Sequence, residues 1–186
     1  CRRTTIRQIV ERSGSIYNIF SSKEEIFNTL AADVLENCIR MVQKEAGGES
    51  PLYQYAAVLL VEMEAIARDE RVRELYQEAY TSPAMFEAAV NRHVRLEMKI
   101  FGESYGKLFK EDEILARNYM VKGAMGGFIN SFYFKDQPPV EEAEFLLLSL
   151  TFRVLGSKKK DILPMLKSLD QKREVWAMMA KDILKK

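Results

Sequence analysis

The sequence is poor in the residues that build metal centres and covalent cross-links. Its 186 residues include one histidine, His93, and two cysteines, Cys1 and Cys38. One His and two distant Cys give no ligand cluster, so neither a metal nor a cofactor is expected. Two cysteines also provide no disulfide framework, which suits a reducing, cytoplasmic setting. Long apolar runs are lacking too. "AAVLLV" (Ala56–Val61) and "FLLLSLTF" (Phe145–Phe152) fall well short of the roughly 20 residues of a membrane span, so no membrane partner is expected. No G-x-x-x-x-G-K-[ST], G-x-G-x-x-G or G-x-S-x-G string occurs. Carboxylate pairs such as Glu24-Glu25 and Glu141-Glu142 sit at predicted helix starts, where the macrodipole favours them. With no convergent set of titratable residues, an enzyme is not expected.

What remains is an ordinary globular composition, 47% hydrophobic and 30% charged. The length suits one good core or two small ones. The formal net charge of +1 conceals an asymmetry. Over residues 1–23, Arg2, Arg3, Arg7, Arg12 and Lys23 oppose Glu11 alone, a net of +4 that leaves −3 for the rest. A basic tip on a nearly neutral body points to a polyanion contact at one end, or else to a solvated end with a few arginines.

Helical periodicity runs through the chain and strand alternation is missing, which predicts an all-α fold. Thr4 or Thr5 caps a short helix that stops at Gly14, and residues 15–20 form another. Ser22 with Glu25 makes an S-x-x-E capping box that opens a long helix to about Lys44. Pro51 starts a helix to about Arg68, and a shorter one follows from Glu70 to Tyr80. Ser82-Pro83 opens the next, another spans about Asp112 to Phe134, and "KDQPP" breaks the chain. Helix Pro139–Leu155 ends before Gly156, and one or two amphipathic helices fill the tail from about Asp161. Two parts result: residues 1–23, a remnant of a helix-turn-helix head, and residues 24–186, a helical body.

Two short helices broken at a glycine in a basic segment suggest a helix-turn-helix, whose second helix enters the major groove while its flanks grip phosphates. The segments "TTIRQIVERSG" and "SIYNIFSSKEEIF" resemble the first motif helix, recognition helix and connecting helix of the TetR (tetracycline-repressor-like) family of transcriptional regulators. The resemblance implies DNA contacts at Thr4, Thr5, Arg7, Ser15, Tyr17, Asn18 and Lys23. It also implies a homodimer on a pseudo-palindromic double-stranded DNA operator, released by a small, mostly apolar effector of unidentified structure. Two departures stand out. The family's V-x-x-G between Gly14 and Ser15 is absent, and only Cys1-Arg2-Arg3 precede the threonines. The orthodox letters on either side favour segments missing from the sequence over a lost motif. A lost motif would leave a helical small-molecule or partner-binding protein without DNA activity.

In the body, helix Pro139–Leu155 is apolar on nearly every side and so needs burial on two faces. With the glycines of "KGAMGGF" on its neighbour, which fit either a close contact with a second chain or a crowded crossing within this one, it predicts a dimer interface at Gly123, Gly127, Asn130, Ala143, Leu147, Leu150 and Val154. The middle helices are rich in Met and aromatic residues, which serve equally as core. Combined with the resemblance, they predict an effector pocket at Tyr55, Met63, Tyr80, Phe86, His93, Phe101, Tyr105 and Tyr119.

Overall fold

Ser22 begins the described part of the chain, its hydroxyl accepting the Glu25 N–H at 3.1 Å and so capping the first long helix. This computed structural model describes residues 22–102, 105 and 108–184. The predicted head helices and the expected DNA contacts Thr4, Thr5, Arg7, Ser15, Tyr17 and Asn18 lie outside the described residues, as does the Lys23 side chain. Eight α-helices and no strand are found among the described residues, and the fold is all-α. They are α1 (Lys23–Ala46), α2 (Pro51–Arg68), α3 (Glu70–Thr81), α4 (Pro83–Phe101), α5 (Glu111–Ser131), α6 (Val140–Val154), α7 (Lys159–Gln171) and α8 (Arg173–Asp182).

The breaks follow local chemistry. Ser50 and Ser82 cap α2 and α4, each followed by a proline in the first turn, where a missing N–H costs nothing. Asp69 serves two helices. Its N–H closes α2 on Ala65 O, while its carboxylate accepts the Arg71 N–H and opens α3. Gly102 and Gly156 follow α4 and α6 with positive φ angles of 65° and 84°.

Helix α2 is the centre of the molecule. From Tyr55 to Ile66 all its residues are buried, and α1, α3, α4, α6, α7 and α8 pack around it. Two carboxylates, Glu62 and Glu64, lie inside this otherwise apolar rod. Glu64 accepts from Arg68 at 2.5 Å and from Arg173 at 3.1 Å. The same Arg173 guanidinium reaches Glu144 of α6 at 2.7 Å, so one cation fastens α8 to both α2 and α6. Burial pushes the Glu144 carboxyl up to about 7 against the pull of Arg173.

Helix α6 is rotated relative to the dimer face expected from the sequence. Leu147 is buried within its own chain, and Ala143 and Val154 are half-buried. The side turned to solvent carries Phe145, Leu146 and Leu150. On α5, Gly123, Gly127 and Asn130 do face outward.

Candidate functional site: a buried polar cluster and an amphipathic pocket

Four helices bring polar side chains to the middle of the body. On α4, His93 and Glu97 are four residues apart and share a face, as do Asn118 and Lys122 on the facing α5. Helix α2 adds Tyr55 and Glu62, and α3 adds Tyr76.

In the first half of the cluster, the Lys122 ammonium lies 2.6 Å from Nε2 of His93 and 3.8 Å from Oε2 of Glu62. A charged Lys122 has only donors, so Nε2, which also lies 3.4 Å from Oε2 of Glu62, accepts from it. The ring proton therefore sits on Nδ1, which donates to Ala89 O at 3.2 Å. The imidazole is neutral in this arrangement. Burial, and then the charge of Lys122, pull its pKa below the usual 6.5. Burial opposes the charge on Glu62, but the Lys122 ammonium and the 2.7 Å hydrogen bond from Tyr76 hold its pKa below the usual carboxylate range. Lys122 itself is lowered by burial, with Glu62 and Glu97 acting in the other direction. A buried ion pair results, in which deleting either member strands the other.

In the second half, Glu97 accepts from Tyr55 at 2.8 Å, Asn118 at 2.7 Å and Tyr105 at 3.1 Å. Burial nevertheless raises its pKa above 4.5. Tyr105 is the link to the outside, since its ring also lines an open pocket of about 540 Å³. The start of α2, the end of α4 and the α6–α7 connection form this pocket. Its apolar side includes Leu52, Phe101, Leu108 and Leu155, and its polar side includes Lys158, Lys160 and Asp161. Phe109 braces the wall by stacking on Gly156, where a Cβ would come within 2.6 Å of the ring. Arg117 covers the Phe109 ring at 3.9 Å and donates to Val154 O.

The predicted pocket residues divide among several places. Phe101 and Tyr105 line the open pocket. Tyr55 and Met63 are fully buried core, Tyr55 doubling as a donor to Glu97. Tyr80 and His93 border a separate cavity of about 10 Å³, room for about one water. Phe86 meets the Tyr80 ring edge-on and lies tilted beside Tyr119, and neither Phe86 nor Tyr119 lines either space. Sequence reasoning missed Glu62, Glu97, Asn118 and Lys122, and also the pocket's lysines. The signal for Glu62 was a carboxylate inside the apolar run "AAVLLVEMEAIA", and for the rim it was "GSKKKD" after a helix stop.

Among the described residues, no group of three His, Cys, Asp or Glu is arranged to hold a metal ion, and no helix is long and apolar enough to cross a membrane. No protein-family model, curated protein or solved structure matches the chain.

Proposed function

We propose that the chain is the body, with part of the head, of a homodimeric, ligand-responsive DNA-binding regulator of the TetR-like type. It acts as a non-catalytic cytoplasmic repressor released by an effector. The observation that carries this reading is an outward stripe without a purpose inside its own chain. On α5, Ala116, Met120, Gly123, Gly127 and Asn130 recur at three- and four-residue spacing and are all exposed. A Cβ added at Gly123 or Gly127 meets nothing within 4 Å, so intrachain packing does not require glycine there. Gly126 differs, because Tyr80 stands 3.2 Å from its Cβ position. Glycine in a helix interior costs up to about 1 kcal/mol relative to Ala, and close approach of a second helix accounts for it. Beside this stripe α6 presents Leu146, 70% exposed, with Phe145 and Leu150. Two helices per chain, pairing with the same two of a second copy, form a four-helix interface.

Helix α4 supplies the route between ligand and head. Phe101 at its C-terminal end lines the pocket, while Ser82 at its N-terminal cap donates to Glu24 in the first turn of α1 at 3.3 Å. Its 19 residues make a rod about 28 Å long. Ligand in the pocket favours one placement of this rod, which biases the position of α1 and the head it carries. The extent of the shift is limited by the ligand's differential affinity for the two placements.

Selection of duplexes from a random pool, followed by gel shifts at several salt concentrations with protein carrying an intact head, tests the reading. A specific site is expected, with affinity falling steeply as salt rises because Arg and Lys displace counterions. If no specific duplex is retained, the second reading replaces it: a helical small-molecule or partner-binding protein without DNA activity. The direct Gly14–Ser15 junction favours that second reading.

A further inference from the structure

The connection from α6 to α7 and the start of α7 place Lys158 and Lys160 in the lining of the open pocket together with Leu52, Phe101, Leu108 and Leu155. We propose that this pocket takes an amphiphile with a hydrocarbon body and a single anionic head, of the fatty-carboxylate class. The proposal rests on the reading of the pocket as the effector site and specifies its ligand.

Three observations converge. The volume of about 540 Å³ lies within the range of small-molecule sites, roughly 300–1,000 Å³. Leu52, Phe101, Leu108 and Leu155 supply contiguous apolar surface that a fully polar ligand could not use. Lys158 and Lys160, both exposed, line the pocket with Asp161 as its one acidic residue, and neither lysine has a hydrogen bond or ion pair from its side chain among the described residues. A fourth feature strengthens the sign of the field. No side chain caps the start of α7, and its N-cap residue Lys158 lines the pocket, so the positive end of its dipole adds to the lysines while Asp161 in the first turn offsets part of it. A neutral hydrocarbon would leave these charges unused, and a cationic amphiphile would be repelled by them. A carboxylate at the rim with its tail on the leucines and Phe101 satisfies both sides. Its tail would lie against Tyr105, whose hydroxyl holds Glu97, so occupancy is transmitted to the buried cluster.

Calorimetric titration of the full chain without DNA, below micelle-forming concentrations, tests this with dodecanoate, dodecanol and dodecyltrimethylammonium. Dodecanoate is expected to bind once per chain and about tenfold more tightly than dodecanol, the scale of two partly exposed charge contacts. The trimethylammonium compound is expected to bind more weakly than dodecanol. The double variant Lys158→Gln/Lys160→Gln should lose the dodecanoate advantage and keep dodecanol binding, while Leu108→Asp should weaken both. Equal affinity for dodecanoate and dodecanol, or a preference that survives the lysine replacements, overturns the proposal. The two readings fail separately. Saturable dodecanoate binding by a protein that shifts no DNA leaves this assignment standing and removes the regulator. Specific DNA binding without a dodecanoate preference does the reverse.

Discussion

Lys122 decides the state of His93. At 2.6 Å from Nε2 it fixes the tautomer and keeps the ring neutral, at a position where an exposed histidine would begin to charge below about pH 6.5. The consequence for stability has a definite sign. A folded pKa below 6.5 means that, on acidification, the unfolded chain takes up a proton at this site before the folded one does. The stability this neutral ring contributes is present above pH 6.5 and is lost as the pH falls towards its folded pKa. Glu144 acts oppositely. Its carboxyl sits at about 7 in the fold against 4.5 in the open chain, so its contribution is full below pH 4.5 and is lost as the pH rises through 7. Urea titrations across pH 7 to 5 should separate them. Relative to wild type, His93→Gln is expected to gain stability as the pH falls and Glu144→Gln to lose it, each by at most about 1.4 kcal/mol per pH unit, the limit for one proton. Differences that do not change with pH would show that these two groups titrate alike in the folded and unfolded chain. The chemistry of this cluster was half legible. His93 and Glu97 share a helix face by their spacing, and Glu62 stands out in an apolar run. Their meeting with Asn118 and Lys122 depends on how α4 and α5 are rotated against one another, which no single helix records.

At the scale of elements, the capping residues were readable because their chemistry is local. Ser22, Ser50 and Ser82 each accept the N–H three residues on, and the predicted starts agree with the observed ones to within a residue or so. Which face of α6 points inward was not readable. With apolar residues on two sides, spacing names both faces without ordering them. In the fold Leu147, Leu148 and Phe152 turn inward together with Glu144, which is buried against Arg173, and Leu146 stays outside. The α6–α7 turn is equally a product of tertiary context. Gly156 combines a φ of 84° with the Phe109 ring in the space a Cβ would need. Gly156→Ala is therefore expected to cost about 1–3 kcal/mol, read as a lower denaturation midpoint at unchanged slope, because the backbone strain and the displaced ring act together. Wild-type stability in that variant would mean that the turn and its aromatic neighbour adjust freely.

For the molecule as a whole, the proposal makes the body a device that would hold two heads at a fixed separation. A pocket lies at one end of α4 and the first turn of α1 at the other, and the proposed regulator would need a second copy to cover the exposed apolar side chains of α5 and α6. Stable pairing buries about 800 Å² per partner, and the exposed Met120, Phe145, Leu146 and Leu150 provide the central part of such a patch. Sedimentation velocity at micromolar concentration tests this requirement most directly. The wild-type chain should sediment with twice its 21.5 kDa mass, and the Leu146→Glu/Leu150→Glu variant as a single chain with unchanged helical circular dichroism. A wild-type protein that remains monomeric, or a variant that still pairs, contradicts the account.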